Sequence, residues 1–410
     1  MKRYLLTLIL CFAGITVFAQ GSEMSFLTTE FMRSDASFAD KLSVLERVQT
    51  SGQTGIGEFY HEALKYLHLR ITSARALQER IAAERSAIIL CQGLAAEKYT
   101  AAAPDLWQAV QVFDVSRSGS SYEGLAMQAA FIALAQIDAR EYIPHIVLRL
   151  DSFNSRTISG DDQRRRAQRA VIGCINALEI FKDPSGFRPV FLASIGSYDP
   201  SIREIASNAL LNIISDPADV VAEILLSPAN NPTIKLEVLR EMLQFDVPNA
   251  SKAKVAAAAL ATGWLTSTSS RPQQVTLGNL RKTAIDAIRH YGAADDSVYL
   301  NLDRSYSRNF ATSSPDYDEI QLTLNALAAL KTDEAAQLLH KYLQELHLRR
   351  RSGPWGNKER QVFEWLVYSI GASGSRSTDI RFLLTTVSHA DHYTWIERNM
   401  ASEALRRLGY

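Results

Sequence analysis

The sequence predicts an all-α protein, an α-solenoid (superhelix) of about nine antiparallel helix pairs. Three observations carry this. Apolar and alanine positions recur every three or four residues through nearly the whole chain, and no convincing period-2 strand interrupts them. One apolar pattern, at i, i+4 and i+8, returns at fairly even long-range intervals. Glycine (20) and proline (12) are sparse for 410 residues, whereas a many-turned β fold needs more of both.

Residues 1–19 have the composition of a signal peptide. Lys2 and Arg3 supply the positive start, and Tyr4 to Phe18 is an apolar run. Val17-Phe18-Ala19 then offers small residues at the −3 and −1 positions, so cleavage is expected before Gln20. The run is short for a membrane span and is followed by polar sequence. Cys11 follows Leu10 and lies inside the run, which does not fit a lipoprotein site. The expected location is therefore exported, periplasmic or otherwise extracytoplasmic. Residues 20–36 are expected to be a flexible lead-in, and residues 37–410 the helical array.

Within the array the recurring triplets are Ala83/Ala87/Cys91, Leu125/Ala129/Ala133, Ala167/Val171/Ile175, Ile202/Ala206/Leu210 and Ile234/Val238/Met242. They continue as Leu280/Ala284/Ile288, Ile320/Leu324/Ala328, Val362/Leu366/Ile370 and Ile396/Met400/Ala404. Successive triplets start 32 to 46 residues apart, in the range where two helices and their turns repeat. Second helices are expected between them, at Ala218–Leu226, Glu334–Leu346 and Asp379–Val387. Each follows a break at Ser215–Pro217, Lys331–Asp333 or Gly371–Thr378, where Asp or Thr can cap the next helix. A single pair cannot bury its own apolar face, so stacking on neighbours is what makes such a core.

The stretch Asp199-Pro200-Ser201-Ile202-Arg203-Glu204-Ile205-Ala206-Ser207-Asn208-Ala209-Leu210 resembles the second helix of a HEAT (armadillo-like) repeat. It has the acidic residue and proline of the turn, then an apolar-basic pair, alanines and a leucine. Ile234-Lys235 and Leu280-Arg281 repeat the apolar-basic pair, and Ile320-Gln321 departs from it. The resemblance covers roughly residues 80–410, strongly in this one repeat. It implies second helices lining a concave side that grips protein or peptide, with Arg203, Lys235 and Arg281 as contacts.

The array is expected to be interrupted by loops near 262–279, 308–318 and 349–358, which are polar or rich in glycine and proline. Basic clusters at Arg164-Arg165-Arg166 and Arg349-Arg350-Arg351, with Trp355 nearby, suit a protein interface. For Arg349–Arg351, at the end of a helical run, the competing role is neutralising the helix dipole. For Arg164–Arg166, at a helix start, pairing with acidic residues of the adjacent repeat or a partner is expected.

Lys+Arg and Asp+Glu both count 44, so no net charge recruits nucleic acid or an acidic membrane. Without Lys2 and Arg3 the balance is 42 to 44. Cys91 and Cys174 sit among small residues in helical patterns and are expected as buried packing groups, not a disulfide framework. His389-Ala390-Asp391-His392 has a possible metal-ligand spacing but no further ligand close in sequence, so a turn is expected and no metal. His340 and His347 are expected on a polar helix side. Ser51–Gly57 lacks the lysine of a phosphate loop and is expected as an ordinary loop. No nucleophile-elbow, zinc-protease or dinucleotide motif occurs. The expected role is a non-enzymatic scaffold without cofactor, binding protein or peptide, with no membrane insertion of the mature chain. The alternatives are a structural part of an envelope assembly and, further off, a HEAT-like enzyme or enzyme helper.

Overall fold

The computed structural model describes residues 25–117, 120–156 and 160–410. The signal segment, its cleavage position and Cys11 lie outside them. Among the described residues there are twenty α-helices and no strand. None is long and apolar enough to cross a membrane. The chain divides into two compact units, one ending at Ser215 and one running from Asp216 to Tyr410.

The first unit holds α1 (25–32), α2 (Phe38–Ser51), α3 (Gly57–Arg70), α4 (Leu77–Ala96) and α5 (Ala103–Val112). It continues with α6 (Leu125–Gln136), α7 (Ile143–Ser155), α8 (Asp161–Phe181), α9 (Phe187–Ser194) and α10 (Pro200–Ile213). Its even helices stack in order, α2 on α4, α4 on α6, α6 on α8 and α8 on α10. The odd helices flank them, each packed on the even helix that follows: α3 on α4, α5 on α6, α7 on α8 and α9 on α10.

The second unit repeats the plan. It holds α11 (Ala218–Leu226), α12 (Pro232–Gln244), α13 (Asn249–Leu265), α14 (Arg271–Tyr291) and α15 (Ser297–Ala311). The rest are α16 (Tyr317–Leu330), α17 (Asp333–Ser352), α18 (Asn357–Ser373), α19 (Thr378–His389) and α20 (Trp395–Arg407). Its even helices stack α12–α14–α16–α18–α20, and its odd helices stack α11–α13–α15–α17–α19. Each pair from α3–α4 to α19–α20 is joined by four to six residues, except α5–α6, where 113–124 intervene. Such short joints force the two helices of a pair to run in opposite directions.

All nine recurring triplets fall on even helices, α4 through α20. Seven of them lie on or one position from the buried stripe; Ile202, Ala206 and Leu210, for example, are all buried. Two are out of register. Leu125 and Ile396 are exposed, and the core of α6 is carried instead by Met127, Ala130, Phe131 and Leu134. Both misplaced residues stand at the first turn of a helix, where the apolar period is least constrained by the next turn. Cys91 and Cys174 are free, fully buried thiols, and burial pushes the Cys91 thiol up to about 12.

Several boundaries differ from expectation. Residues 25–32 are helical, not a loose lead-in, because Leu27 and Phe31 are buried. The Phe31 ring meets Phe59 and Tyr66 edge-on at 6.2 Å. Lys41, itself buried, donates to the carbonyls of Phe31 (2.7 Å) and Arg33 (2.6 Å), satisfying the end of α1. The three expected interruptions shrink to turns at 266–270, 312–316 and 353–356. Polar composition misled there: Arg271–Thr276 forms the solvated first turns of α14, with Pro272 in the first turn, where proline costs no hydrogen bond. Within the loop expected at Ser51–Gly57, residues 52–56 are non-helical, and Gly52 and Gly55 adopt left-handed backbone there (φ 63° and 78°). Thr332 caps α17 through the Ala335 N–H (3.3 Å), as its break signal implied.

Candidate partner-binding surface

The apolar-basic pairs place their basic residues on even helices, but in three different environments. Arg203 on α10 is exposed, one position from buried Ile202. Lys235 on α12 is buried, and burial lowers its ammonium below the usual lysine value. Arg281 on α14 is held from every side. Its Nε and Nη2 donate to the two oxygens of fully buried Glu319 on α16 (2.8 and 2.9 Å), and Nη1 donates to the Gly263 carbonyl (3.1 Å). The guanidinium also lies 4.1 Å from the Trp264 ring. A Cβ at Gly263 would stand 2.4 Å from the Arg281 Cγ, so glycine is what admits the side chain. Of the three, Arg203 alone is presented to solvent; Arg281 is a clasp between helices α13, α14 and α16.

The Arg164–Arg166 cluster opens α8. Arg164 and Arg165 are exposed and pair with Asp161 and Asp162 one turn away. Arg166 reaches the adjacent repeat, bonding the Ser120 carbonyl (3.1 Å) and Glu123 (3.3 Å), and Arg169 joins it on Glu123 (2.8 Å). Acidic pairing within the array is thus one of the two roles expected for this cluster.

At the end of α17, Arg349 pairs with Glu345 (2.8 Å) and lies 4.6 Å from the Phe310 ring. Lys358 donates to the Phe310 carbonyl (2.9 Å), closing the end of α15. Arg350 is largely buried, 3.6 Å from Glu397 and 5.4 Å from the Trp355 ring. Arg351 is exposed. Trp355 is buried against Phe363 (4.8 Å) and Tyr393 (5.5 Å). It forms one wall of a shallow groove of about 480 Å³ bordered by Arg349, Pro354 and Glu359. His347 departs from its expected polar side: it is buried, with Nδ1 2.9 Å from the Tyr393 hydroxyl. His389 ends α19 and His392 lies in the α19–α20 turn, and no cluster of three or more metal-ligating side chains exists among the described residues.

A groove of greater volume lies elsewhere. It runs between α18 and α20, encloses about 840 Å³, and was not signalled by any motif. Tyr368, 60% exposed, lies on one side, and Met400, Glu403 and Arg407 on the other, with Tyr410 beyond them. The Arg407 guanidinium sits 5.1 Å from the Tyr368 ring, and Arg381 sits 4.5 Å from Tyr410. Phe382 on α19, and Trp395 and Ile396 on α20, are also exposed. Exposed tyrosines beside arginines and a methionine are the composition of interface cores, where flat rings bury area at little entropic cost. The available sequence signal was an aromatic residue, Tyr368, outside the buried stripe Val362/Leu366/Ile370.

No protein family matches the chain, and no curated protein matches it.

Proposed function

We propose that the protein is an exported, non-enzymatic scaffold that holds protein or peptide partners along its even helices. The groove between α18 and α20 carries this reading, because it joins size with an aromatic, arginine-rich rim. A groove of this kind suits an extended or helical segment of a partner: the rings take apolar side chains, and Glu364, Glu403 and Arg407 set polar register. The repeated pairs, the HEAT-like motif at Asp199–Leu210 and the export-type leader support the same reading.

The test is capture of partners from the native host with the full chain and with a Tyr368→Ser, Met400→Ser variant. Both residues reach the groove and neither is fully buried, so the fold should survive. Loss of the main partner in the variant is expected; an unchanged partner set would contradict the groove assignment.

A further inference from the structure

A second cavity, of about 420 Å³, lies wholly within the first unit, among the end of α7, the start of α8 and the turn after α9. Its size falls in the roughly 300–1,000 Å³ range of small-ligand sites. Apolar wall comes from Phe153, Ala167 and Leu192. Two of its polar side chains are engaged with each other: the Tyr198 hydroxyl donates to Asn154 Oδ1 (3.0 Å), and Asn154 Nδ2 donates to the Pro189 carbonyl (2.9 Å). That relay fixes the turn and leaves both groups satisfied.

Gln168 differs. It lines the same cavity, is 7% exposed, and its Nε2 has no hydrogen-bond partner. A buried amide donor left unpaired is unfavourable, so a donor left this way is positioned for an acceptor brought by something else. At the exposed side of the cavity stand Arg156 and Arg164. Asp161 lies 3.8 Å from Arg164 and offsets one of the two charges. The local balance is therefore one positive charge, which suits a monoanion better than a phosphate dianion.

The geometry points to a binding site for an acylated amino-acid carboxylate, free or as the last residue of a peptide. Arg156 and Arg164 take the carboxylate, the Gln168 Nε2 donates to the acyl carbonyl, and the apolar wall receives a small side chain. The site is independent of the α18–α20 groove and stands or falls separately from it.

The experiment is calorimetric titration of the full chain with N-acetylalanine, acetylated tetra-alanine, N-acetylalaninamide and inorganic phosphate. One or both carboxylates should bind, the amide about tenfold or more weaker, and phosphate not in preference. Binding of N-acetylalanine alone assigns a free small molecule; binding of both probes admits a peptide end. An Arg156→Ala, Arg164→Ala variant should lose about tenfold or more, and Gln168→Met, close in volume, should lose severalfold with unchanged circular dichroism. No carboxylate binding, equal binding of the amide, preference for phosphate, or indifference to both variants would each overturn the assignment.

Discussion

Each unit stacks its even helices in order with odd helices packed beside them, but the two close their turns and tie their neighbours differently. In the first unit one turn recurs three times. Left-handed Lys98 follows the end of α4, Asp138 that of α6 and Lys182 that of α8, and each is followed by a short 3-10 turn before the next odd helix. The Tyr99 N–H bonds the Leu94 carbonyl, and the Ala139 N–H bonds the Leu134 carbonyl, both at 3.0 Å. Both are the long backbone bond of a Schellman end. In the second unit Lys331 alone among the described non-glycine residues has that backbone, and no 3-10 helix is present there. Two buried carboxylates, one from each unit, also differ in role. Glu84 of α4 accepts from the backbone N–H groups of Glu123 (2.8 Å) and Leu125 (3.1 Å), capping α6 from the neighbouring repeat. Glu319 of α16 instead accepts both arms of Arg281. Glu84 thus serves as a helix cap and Glu319 as a counter-ion, and the two should fail differently.

Glu319→Ala is the sharpest break of that comparison. It strands a mostly buried guanidinium, at a cost of about 3–5 kcal/mol, to be read as a lower urea midpoint. Replacing the pair together, with Arg281→Met and Glu319→Leu, should recover much of the loss; equal damage from the double variant would show that the charge pair is not the cause.

Acid stability probes the first unit. His68 on α3 is buried with neither ring nitrogen partnered; Gln108 approaches the ring without meeting hydrogen-bond geometry. Burial lowers its value to about 4, with Asp105 pulling weakly the other way. The folded value lies below the unfolded one near 6.5, so the unfolded chain binds more protons between them. Stability is full above about pH 6.5 and falls by roughly 3 kcal/mol as pH drops toward 4. Midpoints measured across that window should slope in the native chain and flatten in His68→Phe; parallel slopes would remove His68 from the account.

Glu84→Ala should cost less than Glu319→Ala, about 1–3 kcal/mol, since it orphans neutral N–H groups and no charge. If the two substitutions cost the same, the division between cap and counter-ion has no energetic meaning.

Much of this was legible locally. The i, i+4, i+8 triplets located nine of the ten even helices, α4 to α20, because stacking needs a similar stripe in each repeat. The equivalent prolines Pro104 and Pro144, beside the recurring turn, were a second visible signal of the repeat. What stayed hidden depends on partners distant in sequence. Arg281 and Arg203 look alike in their own helices, and only Glu319, far along the chain, buries one of them. Trp355 sits in a glycine-rich stretch that suggests exposure, yet Phe363 and Tyr393 enclose it. The α18–α20 groove is formed by two separate helices, so neither segment announces it.

The central claim is that this groove receives a partner, and site-specific crosslinking tests it most directly. A photoreactive residue would replace Tyr368 in the groove or, as a control, Leu148, which is equally exposed on α7. The account predicts one dominant crosslinked protein or peptide from position 368 in the native host and none of it from position 148. The same products from both positions, or none from 368, would contradict it.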